Sequence, residues 1–193
     1  MNTSKELKPK GHVEIWKVYE DTHEKELVWD EHNVITSGMG VALSHLFSAS
    51  GSDSILGYQI LNFACGSGGD ITNYGASSFS LTGAFHQQDY GTNAGLVIET
   101  MAPIENGSIG PPTDFPRIKF SNIHKVTPTS VRFTLVLDPN TLNVDEDIDE
   151  IGLYMRNPRG LNPSSPILVA YRPFPGIRKT SAFSLIFVWT IQF

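Results

Sequence analysis

The sequence predicts an all-β fold, an antiparallel β-sandwich of jelly-roll-like type with one short α-helix packed on the sheet. First, 17 Gly and 12 Pro with only 18% charged residues are typical of many short elements joined by tight turns. Second, the last thirteen residues, Ser181 to Phe193, form a strongly alternating run. Third, only one segment shows the apolar spacing of an amphipathic helix. Together these observations predict a sheet-based core.

The terminal run is the strongest strand signal in the chain. Its odd-numbered apolar residues share one face because strand side chains repeat every two residues. At ~3.3 Å per residue the run would extend about 40 Å, roughly twice the usual strand length. The second face carries Ile186 and Val188 at its centre. These two residues predict either a core strand covered by a helix or loop, or a contact with a neighbouring subunit. The odd-numbered residues of the run are Phe183, Leu185, Phe187, Trp189, Ile191 and Phe193.

The N-terminal part begins with a polar arm, residues 1–10, which we expect to be mobile or docked on another surface. Residues 11–193 are predicted to form a single domain. Runs at Val13–Tyr19 and Leu27–Ile35, separated by a polar turn, predict a β-hairpin. Apolar residues occur at both odd and even positions of the first run, which indicates a bulge or a strand covered on both faces.

The helix is predicted directly after this hairpin. Thr36 or Ser37 can cap its N-terminus, and the segment should end near residues 49–51. Apolar residues recur at spacings of three and four, which predicts one stripe lying on the sheet. The members of this stripe are Met39, Ala42, Leu43, Leu46 and Phe47.

A Gly-, Ser-, Thr- and Asn-rich stretch, residues 51–116, predicts a loop-rich insertion with one buried strand. Short apolar groups occur at residues 60–64, 79–81 and 96–98. Aromatic residues spread along this stretch can stack on sugars, anchor a protein partner or form a small core that holds the loop. These interface candidates are Tyr58, Tyr74, Phe85 and Tyr90.

The second half of the chain predicts further antiparallel strands at regular intervals. Apolar, β-branched and aromatic runs lie at residues 117–120, 131–137, 151–155 and 167–171. Pro, Asn and Gly separate them, as in sandwiches built from short connections.

Charge and cysteine content exclude several functional classes. A net charge of −6 counts against binding to a nucleic-acid backbone, which depends on Lys and Arg. The single Cys65 excludes an internal disulfide framework and a Cys-based zinc site, and is interpreted as a small core residue. The sequence shows no signal-peptide pattern and no apolar run of membrane-spanning length. We therefore expect a chain made in the cytoplasm that is not secreted by a signal peptide and has no membrane partner.

Glycine and histidine patterns give no catalytic motif. Gly38 and Gly40 lie between a strand and a helix, but Leu43 replaces the third glycine of a dinucleotide fingerprint. We interpret these glycines as allowing close packing of the helix start on the sheet. Residues 66–69 lack the Lys-Ser/Thr of a phosphate-binding loop and predict a turn. The six histidines lack metal-binding spacing. The sequence therefore predicts no cofactor.

An acidic segment, residues 145–150, is the one candidate for cation binding. Asp145, Asp147 and Asp149 would share a face in a strand, and their oxygens suit calcium. The favoured interpretation is a solvated acidic turn, with repulsion relieved by Arg156, Arg159 or a lysine of a neighbouring subunit. An enzymatic alternative would use Asp145, Asp147, Glu150 or nearby carboxylates.

Four short motifs resemble those of bacteriophage tail fibre, baseplate and related virion proteins. Asn33, Ile35 and Gly38 match a strand-to-helix "N-x-I/V, x-x-G" opening, and residues 63–68 match a strand leading into a Gly-rich turn. Residues 150–154 resemble "E-I-G-L-Y/F", and residues 174–180 with 189–193 resemble "F-x-x-I-x-K-T … W-T-I-x-F".

The resemblance implies a non-enzymatic virion structural protein of the tail, baseplate, collar or fibre-attachment region. Its partners would be other virion proteins and further copies of the chain in a homo-oligomer. The alternatives are a decoration or cement protein of the capsid surface and a module that recognises a host-surface glycan. A depolymerase is least favoured, because no β-helix repeat is visible.

Overall fold

The computed structural model describes residues 9–48, 60–72, 122–155 and 167–193. These residues form an antiparallel sheet of eight strands and one short helix, which confirms the predicted β-rich class with a single helix. The predicted strand at residues 117–120 and the apolar groups at 79–81 and 96–98 lie outside the described residues. The elements are β1 Lys10–Tyr19, β2 Lys25–Ile35, α1 Ser37–Phe47, β3 Ile60–Gly66, β4 Ile123–Thr127, β5 Ser130–Leu137, β6 Asp147–Met155, β7 Ile167–Arg178 and β8 Phe183–Gln192.

The strand order is β3-β6-β7-β2-β1-β8-β5-β4, and β2 belongs to both halves of the sheet. Most of β2 pairs with β1, from Gly11 opposite Asn33 to Val18 opposite Lys25. Its last two residues, Val34 and Ile35, pair instead with β7. One half therefore contains β2-β1-β8-β5-β4 and the other β2-β7-β6-β3.

This shared strand changes the predicted architecture. The sheet curls into a half-barrel and is not clearly the jelly-roll sandwich that the sequence predicts. Two separate sheets would need a connection that leaves one sheet and enters the other, whereas β2 hydrogen-bonds to both halves along its own length. The two halves still enclose one apolar interior, as in a sandwich.

The interior is centred on β8, which lies between β1 and β5 and is antiparallel to both. Leu185, Phe187, Trp189 and Ile191 have no solvent exposure, which confirms the predicted inward face. Phe187 packs against Phe174 of β7, with ring centroids 6.0 Å apart, so β8 and β7 meet across the core. Phe193 departs from the pattern, because its side chain is 45% exposed just beyond the end of the strand.

The N-terminal hairpin forms as predicted. β1 and β2 are antiparallel, and their register shifts between Ile15 and Trp16. The unpaired residue is Val28 of β2, whereas β1 keeps an unbroken register with β8, so the irregularity lies in the second strand and not in the first run, where a bulge was one of the two predicted alternatives. His23 in the connecting turn has φ 57°, the left-handed conformation that tight turns require. Odd-numbered β1 residues such as Val13 and Ile15 face the core, so the even-numbered ones face outward.

Helix α1 lies on β7, and its predicted stripe is correct only in part. Met39 and Ala42 are buried, while Leu43 and Leu46 are half-buried. Phe47 is 83% exposed, because it lies in the last turn of the helix, so its predicted place in the stripe is wrong. Thr36 is the N-cap residue, but its hydroxyl makes no capping bond and donates instead to the Leu168 carbonyl. This contact ties the helix start to β7.

Gly38 has the role predicted for it, and Gly40 does not. A Cβ at Gly38 would lie 2.0 Å from the Leu168 carbonyl oxygen and 2.8 Å from Cγ2 of Ile167. A Cβ at Gly40 would meet no atom within 4 Å. Only the first glycine therefore permits close packing of the helix on the sheet.

Several boundaries differ from the sequence prediction. β7 and β6 extend beyond the predicted segments, and β4, a short edge strand, was not predicted. β3 is the buried strand expected within the insertion, and it forms the opposite edge of the sheet beside β6. Among the described residues, no helix has the length and apolar character needed to cross a membrane.

Alanine substitution should separate the two helix glycines. Gly38→Ala is expected to lower the free energy of unfolding by about 1–3 kcal/mol, because its methyl group meets a backbone carbonyl that cannot move alone. Gly40→Ala is the matched control and should be neutral or stabilising by about 0.5–1 kcal/mol, since alanine favours the helix. Urea denaturation measures both, and equal stability of the two variants would contradict the close contact.

Candidate assembly surface

The outward side of β8 is the surface that the sequence singled out through Ile186 and Val188. Ile186 is paired with Trp16 of β1 and Val136 of β5, so these three side chains form one outward row. Val188 lies in the next row, between Glu14 and Thr134. We call this surface the β8 outer face, and its members are Glu14, Trp16, Leu27, Asp30, His124, Arg132, Thr134, Val136, Ile186 and Val188.

Its centre is apolar and only partly shielded. Trp16, Val136, Ile186 and Val188 are half-buried, although neighbours in the sheet flank each of them. Leu27, opposite Trp16 on β2, is 44% exposed. In the described part of the chain no element packs over this face: α1 lies on β7, and β7 approaches β8 from the inward side. The first predicted interpretation needs a helix or loop over this face, and the described residues provide none.

The β1–β2 flank of the β8 outer face carries charges of both signs, because Lys10 and Lys25 lie on the same outward side as Glu14 and Asp30. On the β1–β2 side, Glu14 lies directly opposite Asp30. The Trp16 indole N–H donates to Glu14 at 2.9 Å, and Nε2 of His12 lies 2.5 Å from Oδ1 of Asp30. On the β4–β5 side, Arg132 lies opposite His124, and both are exposed.

The remaining interface candidates give no further information. Tyr58, Tyr74, Phe85 and Tyr90 lie outside the described residues, so their proposed contact with a sugar or a protein stays a prediction. Cys65, interpreted as a small core residue, has no solvent exposure in β3, which confirms that interpretation.

Two carboxylates of the acidic segment form ion pairs with an arginine of the same chain. Arg178 of β7 donates to Asp147 at 2.7 Å and to Asp145 at 2.5 Å. The hydrogen bond to Asp147 and the charges of both carboxylates raise the pKa of Arg178. The predicted donors Arg156 and Arg159 lie outside the described residues. The partner is Arg178 because β6 and β7 pair antiparallel, which places Asp147 opposite Arg178.

Asp149 points to a different neighbour. Its carboxylate accepts a hydrogen bond from the Gly69 N–H at 2.8 Å, and burial is the main cause that raises its pKa. A Cβ at Gly69 would lie 2.2 Å from the Asp149 carbonyl oxygen, so glycine is required for this approach. The three aspartates thus do not converge on one point, and within the described residues no group of three acidic, histidine or cysteine side chains is arranged to hold a metal.

A buried polar group at the junction of the two halves was missed by sequence reasoning. Arg172, only 3% exposed, donates to the His32 carbonyl and to Glu31, each at 2.8 Å, and lies over the Trp29 ring. Tyr171 donates to the buried Glu150 at 3.1 Å. Burial and the neighbouring Glu150 charge raise the pKa of the Tyr171 hydroxyl. A signal was present for Arg172, which is a charged residue inside an otherwise apolar run.

Lys179 belongs to the motif at residues 174–180, and its side chain is only 2% exposed. Its ammonium donates to the carbonyls of Thr180 at 2.8 Å and Pro139 at 3.2 Å, and to Oδ1 of Asn143 at 3.2 Å. Burial lowers its pKa to about 8, although the nearby Asp138 and Glu20 charges oppose this shift. Lys179 thus holds the β5–β6 connection against the end of β7.

An apolar cavity of about 250 Å³ lies beneath α1. Met39 and Leu46 of the helix face Phe133 of β5 and Val169 of β7 across it. Every side chain that lines it is apolar, so it offers no group to orient a charged substrate. Residues 49–59, which connect α1 to β3, lie outside the described residues.

Comparisons with protein-family models, with curated proteins and with solved structures found no match to this chain.

Replacing Lys179 by Met should change how stability depends on pH. Because the folded-state pKa is below the unfolded value near 10.5, the unfolded chain binds more protons between pH 8 and 10.5. The free energy of unfolding of the unmodified protein should therefore contain a contribution that increases with pH across this range. The Lys179→Met variant should lack this contribution. Urea denaturation at several pH values measures the difference between the two proteins. Lys125→Met, at an exposed lysine, is the control, and identical profiles for all three proteins would contradict the assignment.

Proposed function

We propose that this chain is a non-enzymatic bacteriophage virion structural protein of the tail, baseplate, collar or fibre-attachment region. The observation that carries the proposal is the β8 outer face, whose apolar centre is half-exposed and has no described element over it. A structural protein needs such a surface to join its neighbours, and obligate interfaces resemble a protein core cut in half.

The motifs that resemble virion proteins support this proposal through the fold. Ile151, Leu153 and Trp189 have no solvent exposure, and Lys179 is almost fully buried. Gly38 lies directly against the backbone of β7, where a Cβ would meet the Leu168 carbonyl oxygen. The resemblance therefore concerns residues that build the core, which is where proteins with different partners can share a pattern.

The size of the available apolar surface is compatible with assembly. Covering Ile186, Val188 and Trp16 would remove a continuous apolar area from water, worth about 25 cal/mol per Å². Several such contacts in a ring or lattice add up, because each subunit is held at more than one site. Other virion proteins and further copies of the chain are the partners we propose, and the virion is the proposed location.

Two alternatives have less support from the described residues. A capsid decoration protein would use the same face, and the structure does not favour either position in the particle. A glycan-binding module depends on Tyr58, Tyr74, Phe85 and Tyr90, which lie outside the described residues. The enzymatic alternative is disfavoured because Arg178 already pairs with Asp145 and Asp147.

The proposal predicts that the chain is a component of particles. Particles produced from the encoding genome should be banded by density, and mass spectrometry should detect the chain with the other virion proteins. Gold-labelled antibodies should then locate it on the tail, baseplate or collar. Recovery of the chain only in the unassembled fraction, while other virion proteins band normally, would overturn the proposal.

A single substitution tests the surface itself. Ile186→Asp should leave the circular dichroism spectrum unchanged, because the side chain is half-exposed, and should lower incorporation into particles at least about tenfold. Phe47→Asp is the control, since it makes the same kind of change at an 83% exposed site on α1. Loss of folding in Ile186→Asp would show that the face is part of the core and not an interface, and equal incorporation of both variants would also contradict the proposal.

A further inference from the structure

We propose that the apolar cavity beneath α1 binds the hydrocarbon chain of a fatty acid, whose carboxylate lies at the cavity mouth beside Lys125. The inference is independent of the proposed assembly contact, because the cavity is on the inward side of the sheet and the β8 outer face is on the opposite side. It follows from the volume of the cavity, from its apolar wall and from the charges near its mouth.

The cavity exists because α1 is attached to β7 at its beginning and stands away from β5 at its end. The Thr36 hydroxyl donates to the Leu168 carbonyl, and Gly38 lies directly against the same part of β7. In the last turn of the helix, Leu46 faces Phe133 of β5 across the cavity. The helix therefore extends from β7 toward β5 and leaves a space of about 250 Å³ beneath it.

The exposure of the lining residues shows a closed base and an open mouth. The residues at the base are at most 4% exposed, and they are Met39, Ala42, Phe133, Met155 and Val169. The residues at the mouth are half-buried or exposed, and they are Leu43, Leu46, Ile60, Ile123, Val131 and Phe193. A ligand can therefore enter from the mouth while the fold stays intact.

The volume and the wall of the cavity suit a hydrocarbon chain. An apolar cavity of roughly 150 Å³ stays dry and binds benzene, so by proportion this cavity accommodates about eight to ten carbon atoms. Every lining side chain is apolar, and a polar group buried there without a hydrogen bond would cost free energy. The polar head of an amphiphile bound in the cavity therefore lies outside the wall, at the mouth.

The register of β4 places Lys125 at this mouth. Ile123 lies opposite Phe133, and Lys125 lies opposite Val131. Because strand side chains alternate, Ile123 and Lys125 share the inward face of β4. Phe133 is buried, Val131 is half-buried and Lys125 is exposed, so the cavity opens toward the lysine.

The charges around the mouth favour an anionic head group. The elements α1, β3, β4, β5, β7 and β8 contain no aspartate or glutamate, although the whole chain has a net charge of −6. β6 contributes Met155 to the wall, and its carboxylates lie at the other end of the strand, at residues 147–150. Lys125 therefore has no carboxylate on these elements as a partner. A fatty acid supplies both the chain that the cavity accommodates and the anion that a lysine binds.

Isothermal titration calorimetry of the full chain with decanoate tests the proposal, and the unmodified protein should bind one equivalent. Ala42→Leu should raise the dissociation constant at least about tenfold, because its three added carbon atoms occupy space that the ligand needs. Lys125→Gln should raise the dissociation constant for decanoate about threefold, as expected for an exposed ion pair. The same variant should bind decan-1-ol as tightly as the unmodified protein does, because the alcohol has no charge.

Two further variants separate binding from changes in folding. Ser44→Leu adds a similar apolar side chain on the exposed side of α1, and its affinity for decanoate should be unchanged. Leu46→Trp narrows the mouth at a half-buried position, and it tests the cavity if circular dichroism shows that Ala42→Leu does not fold.

Unmodified protein that binds no decanoate would overturn the inference. Folded Ala42→Leu and Leu46→Trp variants that bind decanoate with unchanged affinity would also overturn it, because the ligand would then bind elsewhere. Equal weakening of decanoate and decan-1-ol by Lys125→Gln would contradict the placement of the carboxylate. Each of these results leaves the proposed function to its own test, because incorporation into particles is measured separately.

Discussion

The junction at β2 is the constraint on which the rest of the structure depends. A single strand pairs with β1 over most of its length and with β7 through only two residues, Val34 and Ile35. Arg172 continues this link where backbone pairing stops, because its guanidinium bonds to the His32 carbonyl and to Glu31. The two halves are therefore held as one curled sheet, and β7 can pack across the core onto β8.

The curled sheet separates residues that build the fold from residues available for contact. The inward face of β8, the β6 motif and the end of β7 enclose the core, and helix α1 is tied to β7 through Thr36 and Gly38. The outward face of β8 contributes nothing to this interior. Its apolar row and the charged side chains beside it lie on the outward side of the sheet, over which no described element packs.

Two charged groups, the buried Lys179 and the exposed Arg178, show where sequence reasoning was insufficient. Lys179 is solvated by carbonyls of the β5–β6 connection, and Arg178 neutralises Asp145 and Asp147 from the neighbouring strand. In each case the partners lie more than thirty residues apart, apart from the adjacent Thr180 carbonyl. The β6–β7 register places Arg178 opposite Asp147, a pairing that the sequence did not predict. Local spacing cannot supply this information, because register is decided by the pairing of whole strands.

The sequence by itself determined the β-rich class, the N-terminal hairpin, helix α1, and which side of β8 faces the core. These are local properties, since side-chain alternation and helical spacing depend only on near neighbours along the chain. Tertiary structure alone decided that the sheet is a half-barrel shared through β2, that Phe47 and Phe193 are exposed, and that Trp16, Val136 and Ile186 form one row. These depend on strand order, because residues far apart in sequence become neighbours only when β1 and β5 pair with β8.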